Sequence, residues 1–297
     1  METTLKVKFV AFDQATPDLF AKAESKLRRQ CASLLFETSD KRADIIYFIS
    51  GGSELEAVNT LDKSLSTLLL AGAANNAWAA ATEVKAFANQ NGIETQLVSF
   101  DTINLEEQLI QHLKIISSFE KLKGQRLGLI GSVSDWLVSS DVSAETLKKV
   151  FGIELIQLPY EELEDYLTYP EDPQMKTLFP NLIQQQSQLG SVSSFLKDVV
   201  AQNKLDAITI QCFRMVKEKS VTACLPVALI NHNGIPAGCE GDLVSISAIM
   251  LVKALTGIIP WMANMVAVES THILFAHCTI PLQHSKYFEI YTHYESY

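Results

Sequence analysis

Short apolar runs, each followed by a segment of helical length, recur along this chain in two successive series. That alternation restricts it to a layered α/β fold. In the first series Lys6–Ala11, Ala43–Ile49, Ser66–Ala71 and Thr95–Phe100 read as strands. Pro17–Leu35, Glu54–Asn59, Asn76–Gln90 and Glu106–Phe119 read as the helices between and after them. Such alternation builds a parallel sheet through right-handed crossovers. The second series restarts at Arg126–Ile130 as a strand, with Ala144–Phe151 helical and Glu154–Pro159 a strand. A short helix over Glu161–Leu167, a helix over Gln184–Asn203 and a strand over Ala207–Cys212 follow. Lys121-Leu122-Lys123-Gly124 separates the series. The expected architecture is therefore two sequential Rossmann-like parallel-sheet domains, 1–120 and 121–270, with 271–297 as the start of a β-rich region. Tyr169–Pro180, with three prolines and two acids, reads as a surface excursion.

A length of 297 residues accommodates two domains. A hydrophobic fraction of 47% with 20% charged residues is a globular composition. The net charge of −10 argues against sequence-independent nucleic-acid binding, which needs a basic face. The N-terminus reads as a strand and lacks the charged, apolar, small-residue order of a signal peptide. Apolar stretches near 66–81 and 246–265 are interrupted by Asn75 and Asn76, or by Lys253, Gly257 and Pro260, so neither reads as a membrane span. Five irregularly spaced cysteines give no disulfide framework, and a reduced, cytoplasmic setting is expected.

Chemistry-bearing residues concentrate late in the chain: four of the five cysteines and five of the six histidines follow residue 211. In IPAGCEGDLVSISAIM, Glu240 and Asp242 stand between a Pro/Gly turn and an apolar helix pattern. Carboxylates there cap the helix, bind a cation or move a proton. Glu218 and His277 extend that set toward a hard divalent cation, although capping and a satisfied core histidine explain it equally well. Ser132, Ser134 and Trp136 follow the Arg126–Ile130 strand. Their hydroxyls and indole suit a sugar, or else a helix cap and a core tryptophan. Ser50-Gly51-Gly52-Ser53 occupies the same position in the first series, with a structural turn as the simpler reading. Asn75 or Asn76 reads as a helix N-cap. The cysteines contain no CxxC pair and match no zinc spacing, so they read as small buried thiols.

The order QCF, ACLPVALINHNGIPAGCEGDLVSISAIMLVKALTG and FAHCTIPL resembles the L-fucose isomerase and L-arabinose isomerase-like superfamily, in its short fucose isomerase-like branch. ISGGSE, NNAWAAATEV and LGLIGSVSDWLVSS extend the resemblance along essentially the whole chain. It implies two Rossmann-like domains before a β-rich C-terminal domain. It also implies aldose–ketose isomerisation through an ene-diolate, with Mn²⁺ as cofactor and Mg²⁺ as the alternative. By the same resemblance Asp242 matches the metal-binding loop carboxylate and Glu218 the second acid, both also catalytic. An acid that other branches place near Arg214 or Met215 is absent here. The family runs on past a segment matched by Thr292-His293-Tyr294-Glu295-Ser296, so most of the C-terminal domain and its metal histidine are expected to be missing. His277 or His293 would then complete the metal site, and activity would be weak or lost. The alternative is a non-catalytic sugar-binding or regulatory protein on the same scaffold. Because the family builds active sites between subunits, a homo-oligomer is expected, with Ile273–Ala276 and Tyr287–Tyr291 as an exposed apolar strand pair.

Overall fold

The computed structural model describes residues 4–63, 66–180, 186–284 and 290. The chain divides into two compact units, Met1–Ser117 and Ser118–Tyr297.

The first unit is a five-stranded sheet of order β2-β1-β3-β4-β5, parallel throughout. Its strands are β1 (Leu5–Val10), β2 (Phe36–Thr38), β3 (Ile45–Phe48), β4 (Thr67–Ala71) and β5 (Thr95–Ser99). Its helices are α1 (Pro17–Gln30), α2 (Glu54–Thr60), α3 (Ala77–Gln90) and α4 (Leu105–Leu122), the last crossing the division between the units. Side chains of a strand alternate between faces, and both faces here are covered. Ile45, Tyr47, Leu68 and Leu70 join Ala23 and Leu27 of α1 and Leu105 and Leu109 of α4 in one core. Ile46, Phe48, Leu69 and Ala71 join Ala57 of α2 and Ala80, Ala81 and Val84 of α3 in the other. The central strands therefore carry unbroken apolar runs.

Two local expectations shift here. The helix expected over Pro17–Leu35 ends at Gln30, and β2 follows. The N–H and Oγ of Ser33 both donate to Glu106 Oε1, at 2.8 and 2.7 Å, so a tertiary partner competes with helical continuation. Asn76 occupies the N-cap position of α3, but neither it nor Asn75 caps through its side chain. Both residues are left-handed, with φ of 57°.

The second unit is a four-stranded parallel sheet of order β7-β6-β8-β9. Its strands are β6 (Arg126–Ile130), β7 (Glu154–Leu158), β8 (Ala207–Ile210) and β9 (Ala237–Cys239). The helices are α5 (Ala144–Phe151), α6 (Pro173–Leu178), α7 (Gln186–Gln202), α8 (Cys212–Lys219), α9 (Cys224–His232) and α10 (Leu243–Thr256). Ile130, Ile208 and Ile210 pack with Val192, Phe195 and Val227 on one face. Leu127, Leu129 and Ala207 pack with Leu147, Leu243 and Ile246 on the other.

The expected excursion at Tyr169–Pro180 is instead part of this packing. Met175 and Phe179 are buried against Leu189 and Leu229. Buried Asp172 caps α6 and pairs with Lys197 at 2.5 Å. The helix expected over Glu161–Leu167 is a single 3₁₀ turn, Tyr160–Glu162. After α10 the chain forms an antiparallel hairpin, β10 (Asn264–Val268) and β11 (Ile273–Ala276), exposed on both strands. Tyr287, Tyr291, His293 and the Thr292–Ser296 segment lie outside the described residues. Among the described residues no helix is long and apolar enough to cross a membrane.

Candidate functional site

From β6 the chain moves outward to β7, and from β8 it moves the other way to β9. The carboxyl ends of β6 and β8 thus flank a topological switch point, the usual crevice for ligands in an open α/β sheet. The residues after β6, β8 and β9 meet there. Ser132 N–H donates to Gln211 Oε1 at 3.2 Å, and Ser134 N–H donates to the Glu240 carbonyl at 2.9 Å. Gly241, at φ +71°, lies so close that an added Cβ would stand 2.4 Å from the Ser132 carbonyl oxygen. Only glycine permits both that backbone conformation and that approach.

Glu240 is itself left-handed, with φ of 64°, a conformation that costs a residue bearing a Cβ about 1–2 kcal/mol. Its side chain receives a 2.6 Å hydrogen bond from Trp136 Nε1. The indole stands edge-to-face on Phe213, with centroids 5.1 Å apart, and Lys217 Nζ lies 5.9 Å from the ring centroid. Trp136 is half exposed, whereas Ser134 is buried and its Oγ has no protein partner. The structure therefore gathers Ser132, Ser134 and Trp136 around Glu240.

Asp242 and Glu218 have other partners. Asp242 is the N-cap of α10, with Oδ1 accepting from Ser245 N–H at 2.8 Å and Oδ2 from Ser245 Oγ at 2.7 Å. Glu218 lies in the last turn of α8 and accepts from Arg214 Nε at 2.8 Å, while Arg214 also reaches Glu161 at 2.7 Å. Glu218 lines a cavity of about 210 Å³ with Tyr160, Tyr166, Arg214 and Lys219. Asp242 is not among its lining residues.

His277 joins a different set. One ligand atom from each of Cys239, His277 and Cys278 lies within 4.8 Å of the others. Among the described residues neither Glu218 nor Asp242 belongs to a grouping of three such side chains. The neighbouring Cys224 and Cys239 thiols, and after them His277, hold the exposed Cys278 thiol far below the usual thiol range. Burial alone would lower His277, but the Cys278 sulfur, with Glu240 contributing, leaves the imidazole raised. The Cys224 thiol is pushed up, first by its hydrogen bond to Cys278 and then by burial. Of the cysteines read as small buried thiols, Cys31, Cys212 and Cys239 are buried, Cys224 is half-buried and Cys278 is exposed, and the gathering of Cys239 and Cys278 with His277 goes beyond that reading. Residue spacing missed it because each cysteine comes from a different element. The one available signal was position: Cys212 and Cys239 lie at the carboxyl ends of strands.

Mn²⁺ and Mg²⁺ favour oxygen ligands. The carboxylates carried over from the resemblance are engaged elsewhere, and the donors that converge on His277 are thiols. That donor set does not fit a hard cation.

The first unit has a crevice at its own switch point, between β1 and β3. It is a cavity of about 760 Å³ lined by Phe12, Ser50, Gly51, Gly52, Asn75 and Asn76 among others. The serines are occupied in building the turn: Ser50 Oγ accepts from Phe12 N–H at 3.0 Å, and Ser53 Oγ donates to the Ser50 carbonyl at 2.8 Å. No protein-family model matches the chain, and no curated protein matches it.

Proposed function

We propose that the protein handles a small polyhydroxy substrate, an open-chain sugar or sugar derivative, at the Glu240–Trp136 crevice of the second unit. The reaction class is aldose–ketose isomerisation. The observation that supports this reading is a glutamate held in a left-handed backbone conformation at a switch point, its carboxylate bonded to an indole and its backbone carbonyl to the N–H of a serine whose buried hydroxyl has no partner. An indole face suits the apolar face of a sugar, and hydroxyls such as Ser132 and Ser134 suit its oxygens.

Glu240 is the base in this proposal. It takes the proton from C2 of the open-chain aldose, and the electron pair moves onto the carbonyl oxygen at C1 to give an ene-diolate. Return of the proton to C1, with transfer of the C2 hydroxyl proton to the C1 oxygen, gives the ketose. Lys217 places positive charge beside the indole, where it offsets negative charge developing on the oxygens. Mn²⁺ or Mg²⁺, when present in such enzymes, polarises the sugar oxygens. The donors around His277 do not fit either ion, and no step passes through one. Five free cysteines favour a reduced compartment, and we place the protein in the cytoplasm.

A second reading is favoured by the commitment of Asp242 and Glu218 to structural partners: sugar binding without turnover. One experiment separates the two. Pentoses and 6-deoxyhexoses are incubated with the protein in D₂O and followed by NMR. Isomerisation requires deuterium at C1 or C2 and loss of that exchange in Glu240→Gln. Line broadening of the sugar without exchange supports binding alone. Neither exchange nor broadening with any sugar overturns both.

A further inference from the structure

We propose that Cys239, His277 and Cys278, with Cys224 beside them, form a binding site for a thiophilic metal ion, with Zn²⁺ as the occupant. This inference is independent of the sugar-handling proposal. Cys239, His277 and Cys278 converge on one point of the second unit, and Cys224 borders them. Cys239 is the last residue of β9, and Cys224 opens α9. Cys278 and His277 follow β11. A backbone-anchored contact holds them together, because Thr279 Oγ1 donates to the Cys224 carbonyl at 2.8 Å. The Thr279 carbonyl in turn accepts from Trp261 Nε1 at 2.7 Å. The segment bearing His277 and Cys278 is thus pinned against the start of α9.

The spacing is close to what a tetrahedral ion requires. Zn–S bonds of about 2.3 Å and Zn–N bonds of about 2.0 Å place neighbouring ligand atoms about 3.5–3.8 Å apart. Cys278 Sγ and His277 Nδ1 already stand at 3.8 Å. The Cys239, His277 and Cys278 ligand atoms all lie within 4.8 Å. Contraction by about 1 Å, within reach of side-chain rotation, completes the polyhedron. Cys224 borders this trio through Thr279, and rotation of its thiol toward Cys278 supplies the fourth donor. A second observation is that His277 Nε2 is buried without a protein partner, so the ion takes either this nitrogen after a ring flip or Nδ1 beside Cys278. Cys212, in contact with Cys239, supplies a further sulfur around the site.

Three thiolates and one imidazole are the donors of a structural zinc site rather than of a hard-cation site. Four protein ligands leave no open position for substrate. The ion's role is to tie the end of β9, one residue from Glu240, to the segment after β11.

The test uses the full chain, freed of metal by chelator under reducing conditions and titrated with Co²⁺. The expected result is one equivalent bound, with thiolate-to-cobalt charge-transfer absorption and the visible bands of tetrahedral Co²⁺. Zn²⁺ should displace it stoichiometrically and raise the melting temperature. Cys239→Ser and Cys278→Ser should each weaken binding by well over tenfold, since even outer-shell changes cost about 10–100-fold. Cys31→Ser, in the first unit, should bind as the unaltered chain does. Absence of charge-transfer bands in the unaltered chain overturns the proposal whether or not the variants fold. So does rapid alkylation of Cys278 by iodoacetamide in the presence of one equivalent of Zn²⁺.

Discussion

Trp136 Nε1 donates a 2.6 Å hydrogen bond to Glu240 Oε2 across 104 residues of sequence. This contact joins the loop after β6 to the loop after β9. Trp136→Phe keeps an aromatic ring edge-to-face on Phe213 but removes the donor. The expected result is a loss of about 1 kcal/mol of stability, the scale of one hydrogen bond. Sugar-induced broadening should weaken as well. Denaturant unfolding beside the NMR titration checks both outcomes, and unchanged sugar binding would remove Trp136 from the site.

Glu240 holds a backbone conformation that favours glycine. Glu240→Gly should therefore be more stable than Glu240→Ala by about 1 kcal/mol, because alanine keeps the strain and glycine releases it. Both should lack proton exchange at the sugar carbons. Equal melting temperatures for the two variants would show that the left-handed conformation carries no cost here.

Asp242 has both oxygens committed to Ser245. Asp242→Ala should cost about 1–2 kcal/mol through loss of the cap, and Asp242→Asn only a fraction of that. If Asp242 serves only the helix, Asp242→Asn should leave metal binding and any turnover intact. A selective loss of activity in the Asn variant would restore Asp242 to the catalytic set.

His112 is buried in the first unit, with Nε2 3.2 Å from the Asp44 carbonyl oxygen. Burial is the largest influence and lowers its pKa, outweighing the opposing effects of the Asp44 carbonyl and carboxylate. With the folded value depressed, the unfolded chain takes up the proton first as pH falls. This contribution to stability is thus full above about pH 6.5 and declines below it. Protection factors of first-unit amides, which correct for the slower intrinsic exchange at low pH, should fall between pH 6.5 and 5 in the parent and less so in His112→Gln. Identical pH profiles would contradict this.

The hairpin β10–β11 exposes Met265, Val266, Val268, Ile273, Leu274 and Phe275. A two-stranded ribbon is marginal by itself, and such a surface favours burial against another chain. Self-association is the expected outcome, with light scattering giving a mass above the 32.9 kDa of one chain. The double change Val266→Lys and Phe275→Lys should return it to monomer. A monodisperse monomer of the parent at micromolar concentration would refute the expectation.

The layered α/β class was legible because apolar runs at β3, β4, β6 and β8 are continuous, as strands covered on both faces must be. The cap at Asp242 was equally legible, since a carboxylate directly before an apolar helix pattern carries its own local reason. Less visible were β2, a three-residue strand whose helix-like approach is redirected by Glu106, and α6, whose prolines suggested a loop while Met175 and Phe179 supplied a core. The cysteine cluster lay beyond reach for a different reason. Its members are local to nothing, and only the packing of the segment after β11 near the end of β9 brings residues 239, 277 and 278 together. The Glu240–Trp136 pair was divided in the same way, each half noticed and the link unseen.

The approach of Gly241 to Ser132 has a consequence for anyone who would reshape this protein. With no room for a single methyl group between the two backbones, residues 131–136 and 239–242 behave as one cassette although a hundred residues separate them. A chimera that imports either loop alone inherits half of a fitted joint. A library that diversifies one must carry the other along.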